Sequence, residues 1–495
     1  MKQFFIRCRS SEIQLRWRKA IGRSAQLGLV LLIALLWTSG VVSAQESQPA
    51  GPVYIVQAGD SLWDIAVRFG VSLDDLMQVN GISDPSQLAE GAQLIIPGLE
   101  GIQGVLTTVT IQLGDNLSSL SRRYHVPVDT LLRLNHLTSP AELFVGSSLI
   151  LPEQNSAQGS AHRAALKPGQ SLLELSVIEN TNPWAWVTAN SLPGTWAGLP
   201  GDVYQLPAAG TEAQDGQAGA LPAAISAIEL DPAILLQGKV AVIHVTAPDE
   251  TSLTGTLMGH ELHFFPNGDG TYVSLAGVHA MAEPGLYPLE LAGTLPGGTP
   301  FNLIQSVWVK AVNYPFDRPL TVNPTTIDPA VTKPEEEQWF SLTQPATPQR
   351  YWEGTFQMPS SLPKDYCLES GDCWSSRFGN RRSYNGGPYT SFHTGLDIVG
   401  SIGTEIYAPA AGKVVFAGPL SVRGNATVID HGWGVYTGYM HQSEIYVSPG
   451  DMVSAGQLIG LIGDTGRVEG PHLHWELFVG GVQVDPMDWL TQEYP

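Results

Sequence analysis

The sequence predicts a multidomain chain: small α+β (βααβ) repeats, then a β-sandwich, then a C-terminal, mostly antiparallel β domain. Three observations carry this. Gly59, Gly114 and Gly169 stand 55 residues apart, as do Asn80, Asn135 and Asn190, and Pro97, Pro152 and Pro207, so one module recurs three times. Beyond it, helical spacing gives way to two-residue alternation in KVAVIHVTAP, HELHFFPNGDGTYVSL, GLYPLELAGTL and NLIQSVWVKAV. Residues 351–495 are then Gly-rich and hold three histidine-bearing stretches, SFHTGLD (391–397), GYMH (438–441) and GPHLHWEL (470–477). At 495 residues the chain exceeds what one core supports.

The N-terminus predicts a targeting segment. Lys2, Arg7, Arg9, Arg16, Arg18, Lys19 and Arg23 precede the apolar run LGLVLLIALLW (27–37), and Val42-Ser43-Ala44 has the small-residue pattern of a cleavage site. Residues 1–44 therefore read as a signal peptide. Ser24 to Gln45 carries no charge, so an uncleaved membrane anchor is the alternative, and only then would a membrane be a partner. The whole chain has a net charge of −21; residues 1–44 hold seven of its 25 basic and one of its 46 acidic residues, leaving 18 against 45. This balance argues against a nucleic-acid partner and favours a soluble, exported protein of the cell wall, periplasm or extracellular space. Past residue 44 the cysteines are Cys367 and Cys373. Oxidising conditions outside the cell point to a disulfide between them, with two free thiols as the alternative.

In the first copy (53–97), a short β-run at Tyr54–Val56 leads to a turn at Gly59-Asp60-Ser61. Leu62, Ile65, Ala66 and Phe69 follow at helical spacing, Leu73, Leu76 and Met77 mark a second helix, and Leu94–Ile96 closes as a strand. The second copy (108–152) repeats the pattern. The unit resembles the LysM module, which implies binding of N-acetylglucosamine-containing glycans such as peptidoglycan or chitin. The turn residues Gly59, Asp60 and Ser61, with Gly114, Asp115 and Asn116, are the glycan-binding candidates; a structural spacer is the plainer alternative. In the third, degenerate copy (165–207), Gln170 replaces the aspartate and Pro183-Trp184 is expected to interrupt the second helix, so its binding is lost or changed.

The Gly/Ala/Gln-rich stretch 208–221 reads as a linker. The alternating runs of 222–313, with a hairpin signal at Asn267-Gly268-Asp269-Gly270, predict an Ig-like β-sandwich that spaces or covers the C-terminal domain. His260-Glu261-Leu262-His263 is one residue short of the HExxH zinc motif and, on a strand, its histidines face opposite ways. Residues 314–350 read as a linker whose charge run TKPEEEQ (332–338) is a solvated tether.

In the last domain, His472 and His474 are two apart and so share one face of a strand, while Leu473, Trp475 and Leu477 take the other. Two imidazoles and a carboxylate leave a fourth tetrahedral position open, the pattern of a catalytic zinc. HTGLD, YTGYMH and GDTGRVEGPHLHWE, with WEGTFQMP (352–359), SRFGNRRSYNG (376–386) and VDPMDWL (484–490), resemble the lysostaphin/LytM-type zinc metallopeptidases, which cut peptides of peptidoglycan. The resemblance implies one Zn2+ held by His393, Asp397 and His474, with His441 and His472 as catalytic residues that do not ligate it. It further implies hydrolysis of stem or bridge peptides, the repeats holding glycan strands. A catalytically silent activator or scaffold of other hydrolases is the competing reading; the five intact positions count against it. His431 matches no ligand and reads as structural. Arg381 and Arg382 either contact a substrate carboxylate or close the fold.

Overall fold

A computed structural model describes residues 51–99, 101–152, 160–167, 169–199, 202–207, 221–222, 224–268 and 270–495. Residues 1–44, expected as a signal peptide, and most of the expected 208–221 linker lie outside them. The chain forms two compact units, residues 1–103 and 104–495.

In the first unit, helices Leu62–Phe69 and Leu73–Val79 pack on the antiparallel pair Val53–Ile55 and Gln93–Ile95. The turn residues have backbone tasks. Gly59 takes φ +87°, a conformation that costs a Cβ-bearing residue dearly. Asp60 accepts the Gln57 N–H (2.8 Å) and Ser61 caps the first helix by accepting the Asp64 N–H (3.1 Å). Asn80 then ties helix to strand: its amide donates to Leu76 O and Ile95 O and accepts from Ile95 N.

The second unit begins with two more copies. Asn135 and Asn190 reproduce the Asn80 bonds, to Leu131 and Ile150 and to Trp186 and Gln205. Asp115 accepts the Gln112 N–H (3.0 Å), and in the third copy Gln170 does the same for the Lys167 N–H (3.0 Å), so its amide oxygen replaces the carboxylate without loss of the turn. Asn116 and Ser171 cap their helices. Pro183 corrects an expectation. It opens the helix Pro183–Ala189 at its first position, where no N–H is needed, and Asn182 caps it; the helix is not interrupted.

The alternating region forms two antiparallel-rich sheets, one of five strands and one of four, closed on a shared apolar core that includes Ile243, Val245, Leu289, Leu291 and Val307. The predicted hairpin is present: Phe265–Pro266 pairs with Thr271–Gly277, and Gly268 and Gly270 take positive φ. The strand Pro300–Lys310 also receives the second repeat. Gln305 accepts the Gly114 N–H (2.7 Å) and donates to Gln112 O (3.0 Å), and Val145 N donates to Ser306 O (3.0 Å). Leu113, Gly114 and Asp115 are buried there.

The C-terminal domain is organised by a large, largely antiparallel sheet. At its centre, Gly395–Val399, His472–Val479, Val435–Ile445 and Gly424–Gly432 lie side by side. One face packs Leu396, Ile398, Tyr439, Leu473, Trp475 and Leu477 against Trp352, Phe356 and Trp489. The four-stranded sheet joins this core through Val240, Val242, Phe265, Val273 and Leu275, and Phe265 stacks on Trp433 with centroids 5.3 Å apart. Cys367 and Cys373 are bonded to each other, with Cα atoms 5.2 Å apart.

The stretch expected as a solvated tether is different. Pro329–Thr343 is a helix, and three of its residues, Glu335, Trp339 and Thr343, are buried. Pro334 and three consecutive glutamates hide it from a reading by propensity, because burial against the neighbouring sheet, not intrinsic preference, stabilises it.

Candidate metal centre

The strand register assembles the site. His474 lies opposite Asp397 on one side and Met440 on the other, so the ends of three strands meet at one place. The period of two puts His472, His474 and Glu476 on the face away from the Trp475 core. His393 enters from the residue pair preceding Gly395–Val399; Gly395 is required there, because a Cβ would lie 2.3 Å from Trp475 O.

His393 Nε2, Asp397 Oδ1 and His474 Nδ1 converge. They are separated by 2.9 Å (His393–Asp397), 2.9 Å (His393–His474) and 2.7 Å (His474–Asp397). Among the described residues they are the group of His, Cys, Asp and Glu side chains whose ligand atoms gather within 4.8 Å. The outer atoms of each are occupied. His393 Nδ1 faces Arg377 O at 2.9 Å, so it carries the hydrogen. His474 Nε2 faces Glu476 Oε1 at 3.3 Å and donates to it. Asp397 Oδ2 accepts from Arg382 Nη2 at 2.9 Å. Two imidazole lone pairs and one carboxylate oxygen are thereby turned towards a single point, all buried. Such a set repels itself unless a cation sits among it, so these residues fit a divalent metal, with the outer partners fixing each ligand's tautomer.

His441 and His472 stand beside it. Their ring centroids are 5.0 Å apart, and His441 is 6.1 Å from His474. Each holds one ring nitrogen on a backbone carbonyl, His441 Nδ1 on Thr465 O and His472 Nδ1 on Gly470 O, both at 2.8 Å. That leaves Nε2 of each as an acceptor, and His472 Nε2 lies 3.5 Å from Asp397 Oδ1. His441 takes φ +65°, rare for a non-glycine residue, at a register shift in its strand; the kink re-aims the side chain.

Electrostatics follow burial. Burial pushes His393 down to about 4 and, with His472 and His474 nearby, His441 down to about 3, so both are neutral at pH 7. Burial alone would raise the Asp397 carboxyl, but His393 and His474 outweigh it and hold it well below the usual range. Burial likewise opposes the ionisation of Glu476, and the His474 contact overcomes it, lowering it to about 2.

All five singled-out residues are together. His431 is apart from them, buried, with Nδ1 on Ala411 O and Nε2 accepting from Thr437 Oγ1, both at 2.7 Å. Arg382 Nη2 lies 2.9 Å from Asp397 Oδ2 and also lines the cavity. Glu476 was missed, although it continues the two-residue phase of His472 and His474. Trp339, which donates to Glu476 Oε2 at 2.8 Å, carried no local signal. The site opens into a cavity of about 550 Å³ lined by Arg423, His441, Arg467, His474 and Tyr384 among others.

The family model for Peptidase family M23 matches residues 391–486, and that for the LysM domain matches 54–97 and 109–152. The chain carries an M23 peptidase domain and two LysM domains. Over 113 residues it is 45% identical to the peptidoglycan DD-endopeptidase ShyA of Vibrio cholerae, covering 23% of this chain and 26% of that protein. Over 95 residues it is 42% identical to the DD-carboxypeptidase/endopeptidase Mpg of Neisseria meningitidis, covering 19% of this chain and 22% of that protein. The match thus spans about a quarter of these relatives' length. Among solved structures, the antimicrobial peptidase lysostaphin from Staphylococcus simulans overlaps 27% of this chain and 53% of that one, at 32% identity and a TM-score of 0.22. The metal-ligand candidates and both further histidines lie inside the M23 match, whereas the Pro329–Thr343 helix lies before it.

Proposed function

We propose that the chain is an exported, zinc-dependent peptidoglycan endopeptidase, with its M23 domain cutting stem or bridge peptides and its LysM repeats holding glycan. The single observation that carries the reading is the convergence of His393 Nε2, Asp397 Oδ1 and His474 Nδ1 beside two histidines whose Nδ1 atoms are each held by a backbone carbonyl. The names of its relatives favour a D,D cross-link within peptidoglycan as the bond cut. We take the M23 unit as 351–495 and the two-sheet region as an Ig-like spacer.

In this scheme His393, Asp397 and His474 hold one Zn2+, which when bound polarises a carbonyl and acidifies a water. The remaining chemistry belongs to the chain. One of His441 and His472, held by Thr465 O and Gly470 O, accepts one proton at Nε2 from the attacking water. The same nitrogen then returns it to the leaving amine. Neutral imidazoles are required for the first step, and burial keeps His441 neutral. Arg382 Nη2 donates to Asp397 Oδ2 at 2.9 Å and so aims the carboxylate.

The test is digestion of isolated peptidoglycan by the purified chain, with and without a chelator, followed by mass spectrometry of the released muropeptides. Zinc-dependent release of fragments cut within the peptide is expected. A metal-loaded chain that releases nothing overturns the hydrolase reading and leaves a binding or activating role. Release of sugar fragments with intact peptides overturns the peptidase assignment.

A further inference from the structure

The Pro329–Thr343 helix precedes the M23 match, yet two of its residues, one turn apart, reach the two halves of the site. Trp339 is fully buried, and its indole N–H donates to Glu476 Oε2 at 2.8 Å. Glu476 Oε1 accepts from His474 Nε2, Thr394 Oγ1 and Gln483 Nε2. Without the indole, one oxygen of a buried carboxylate loses its donor, and the group that fixes the His474 tautomer is no longer held. The sheet has a seat for this ring. Gly438 lies opposite Glu476 in register, and a Cβ there would come within 2.7 Å of Trp339 Cζ2.

Glu335 serves the other half. Its carboxylate accepts the backbone N–H groups of Val422 (2.8 Å) and Arg423 (3.0 Å) and the Arg423 guanidinium (3.1 Å). Arg423 O in turn accepts the His441 N–H at 3.0 Å, and the Arg423 guanidinium lies 4.9 Å above the Trp339 ring. His441 is the residue at φ +65°, so its aim depends on what fixes its backbone.

We propose that this helix is a positioning element of the active centre, in which Trp339 acts through Glu476 on metal binding and Glu335 acts through the Arg423 backbone on His441. The inference rests on the zinc reading above. It divides the helix's influence in two: Trp339 governs how tightly the metal is held, and Glu335 governs the rate once it is held. A helix that merely packs against the sheet would not separate these.

The experiment uses the full chain and two readouts, zinc affinity by competition with a chromogenic chelator and kcat and KM on a soluble peptidoglycan peptide at saturating zinc. Trp339→Phe keeps most of the ring's bulk and removes the donor. It is expected to weaken zinc binding by roughly 10–100-fold, as loss of a ligand's outer partner does, with a smaller change in kcat at saturating zinc. Glu335→Gln is expected to leave zinc affinity unchanged and to lower kcat about tenfold at constant KM, part of what a general acid–base group supplies. Phe340→Leu, which loosens the contact of the same helix with Phe478 (centroids 6.0 Å apart), is expected to lower the melting temperature without weakening zinc binding. Gly438→Ala should displace the indole and resemble Trp339→Phe.

Unchanged zinc affinity in Trp339→Phe overturns the proposal. So does a parallel loss of affinity and kcat in all of these variants that tracks only their melting temperatures. If the unmodified chain binds no zinc, the zinc reading itself fails and this inference falls with it.

Discussion

His474 has one nitrogen turned to Asp397 and His393 and the other to Glu476, whereas His441 has one on a backbone carbonyl and one free. The two residues should therefore fail differently. His474→Ala is expected to lose zinc and activity together. His441→Ala should keep zinc affinity, measured by chelator competition, and lose a factor of about a hundred or more in kcat. Loss of zinc from His441→Ala would show that it belongs to the ligand set. The five singled-out residues were legible from motif order, and for His472 and His474 the two-residue period adds that they share a face. Glu476 was equally legible by its phase, but a strand's period cannot tell a functional carboxylate from an outward-facing one. Burial and the Trp339 donor make that distinction.

Among elements, the repeats illustrate how one motif can be put to two uses. The Gly59-Asp60-Ser61 turn and its counterpart Gly114-Asp115-Asn116 are built alike, but in the second repeat Gln305 occupies the Gly114 N–H, and Gly114 and Asp115 are buried while Asn116 stays exposed. If the Gly and Asp of the turn contact glycan, the second repeat cannot offer them. Deleting residues 45–99 is then expected to move most of the protein into the supernatant of a peptidoglycan pull-down, although a second LysM domain remains. Retention at the level of the intact chain would place binding elsewhere. The disulfide is a smaller element. It closes a short loop, so Cys367→Ser with Cys373→Ser should lower stability by about 2 kcal/mol, read from denaturant unfolding. In the secreted protein, without residues 1–44, no thiol should titrate.

Over the whole second unit, the two-sheet domain and the M23 domain share a core, and a charged bridge crosses their boundary. Lys239 Nζ meets Asp485 Oδ2 at 2.9 Å and Asp488 Oδ1 at 2.8 Å. Burial lowers the Lys239 pKa, but Asp485 and Asp488 outweigh it and raise it. A raised folded pKa means that the contribution is complete below the unfolded value of about 10.4 and fades only as pH climbs through the folded one. Lys239→Met should thus destabilise the chain at neutral pH by roughly 1–3 kcal/mol, since it leaves two partly buried carboxylates side by side. The difference from the unmodified chain should narrow above about pH 10.5. A constant difference across that range would mean that packing, not charge, is what Lys239 supplies.

Local pattern was enough for much of this protein. Repeat spacing set the three βααβ units, because each turn, cap and Asn bridge is made within one copy. Alternation set the strands, and the His472–His474 spacing set which face carries the chemistry. Contacts distant in sequence settled the rest. Gln305 covers Gly114 from 191 residues away, and Trp339 reaches Glu476 across 137. The Pro329–Thr343 helix looked like a tether because three glutamates and a proline suit solvent in isolation. It is held instead by the desolvated bonds of Glu335 and the seat that Gly438 leaves for an indole. Such bonds form only once the sheet exists to receive them, so no local window of sequence contains them.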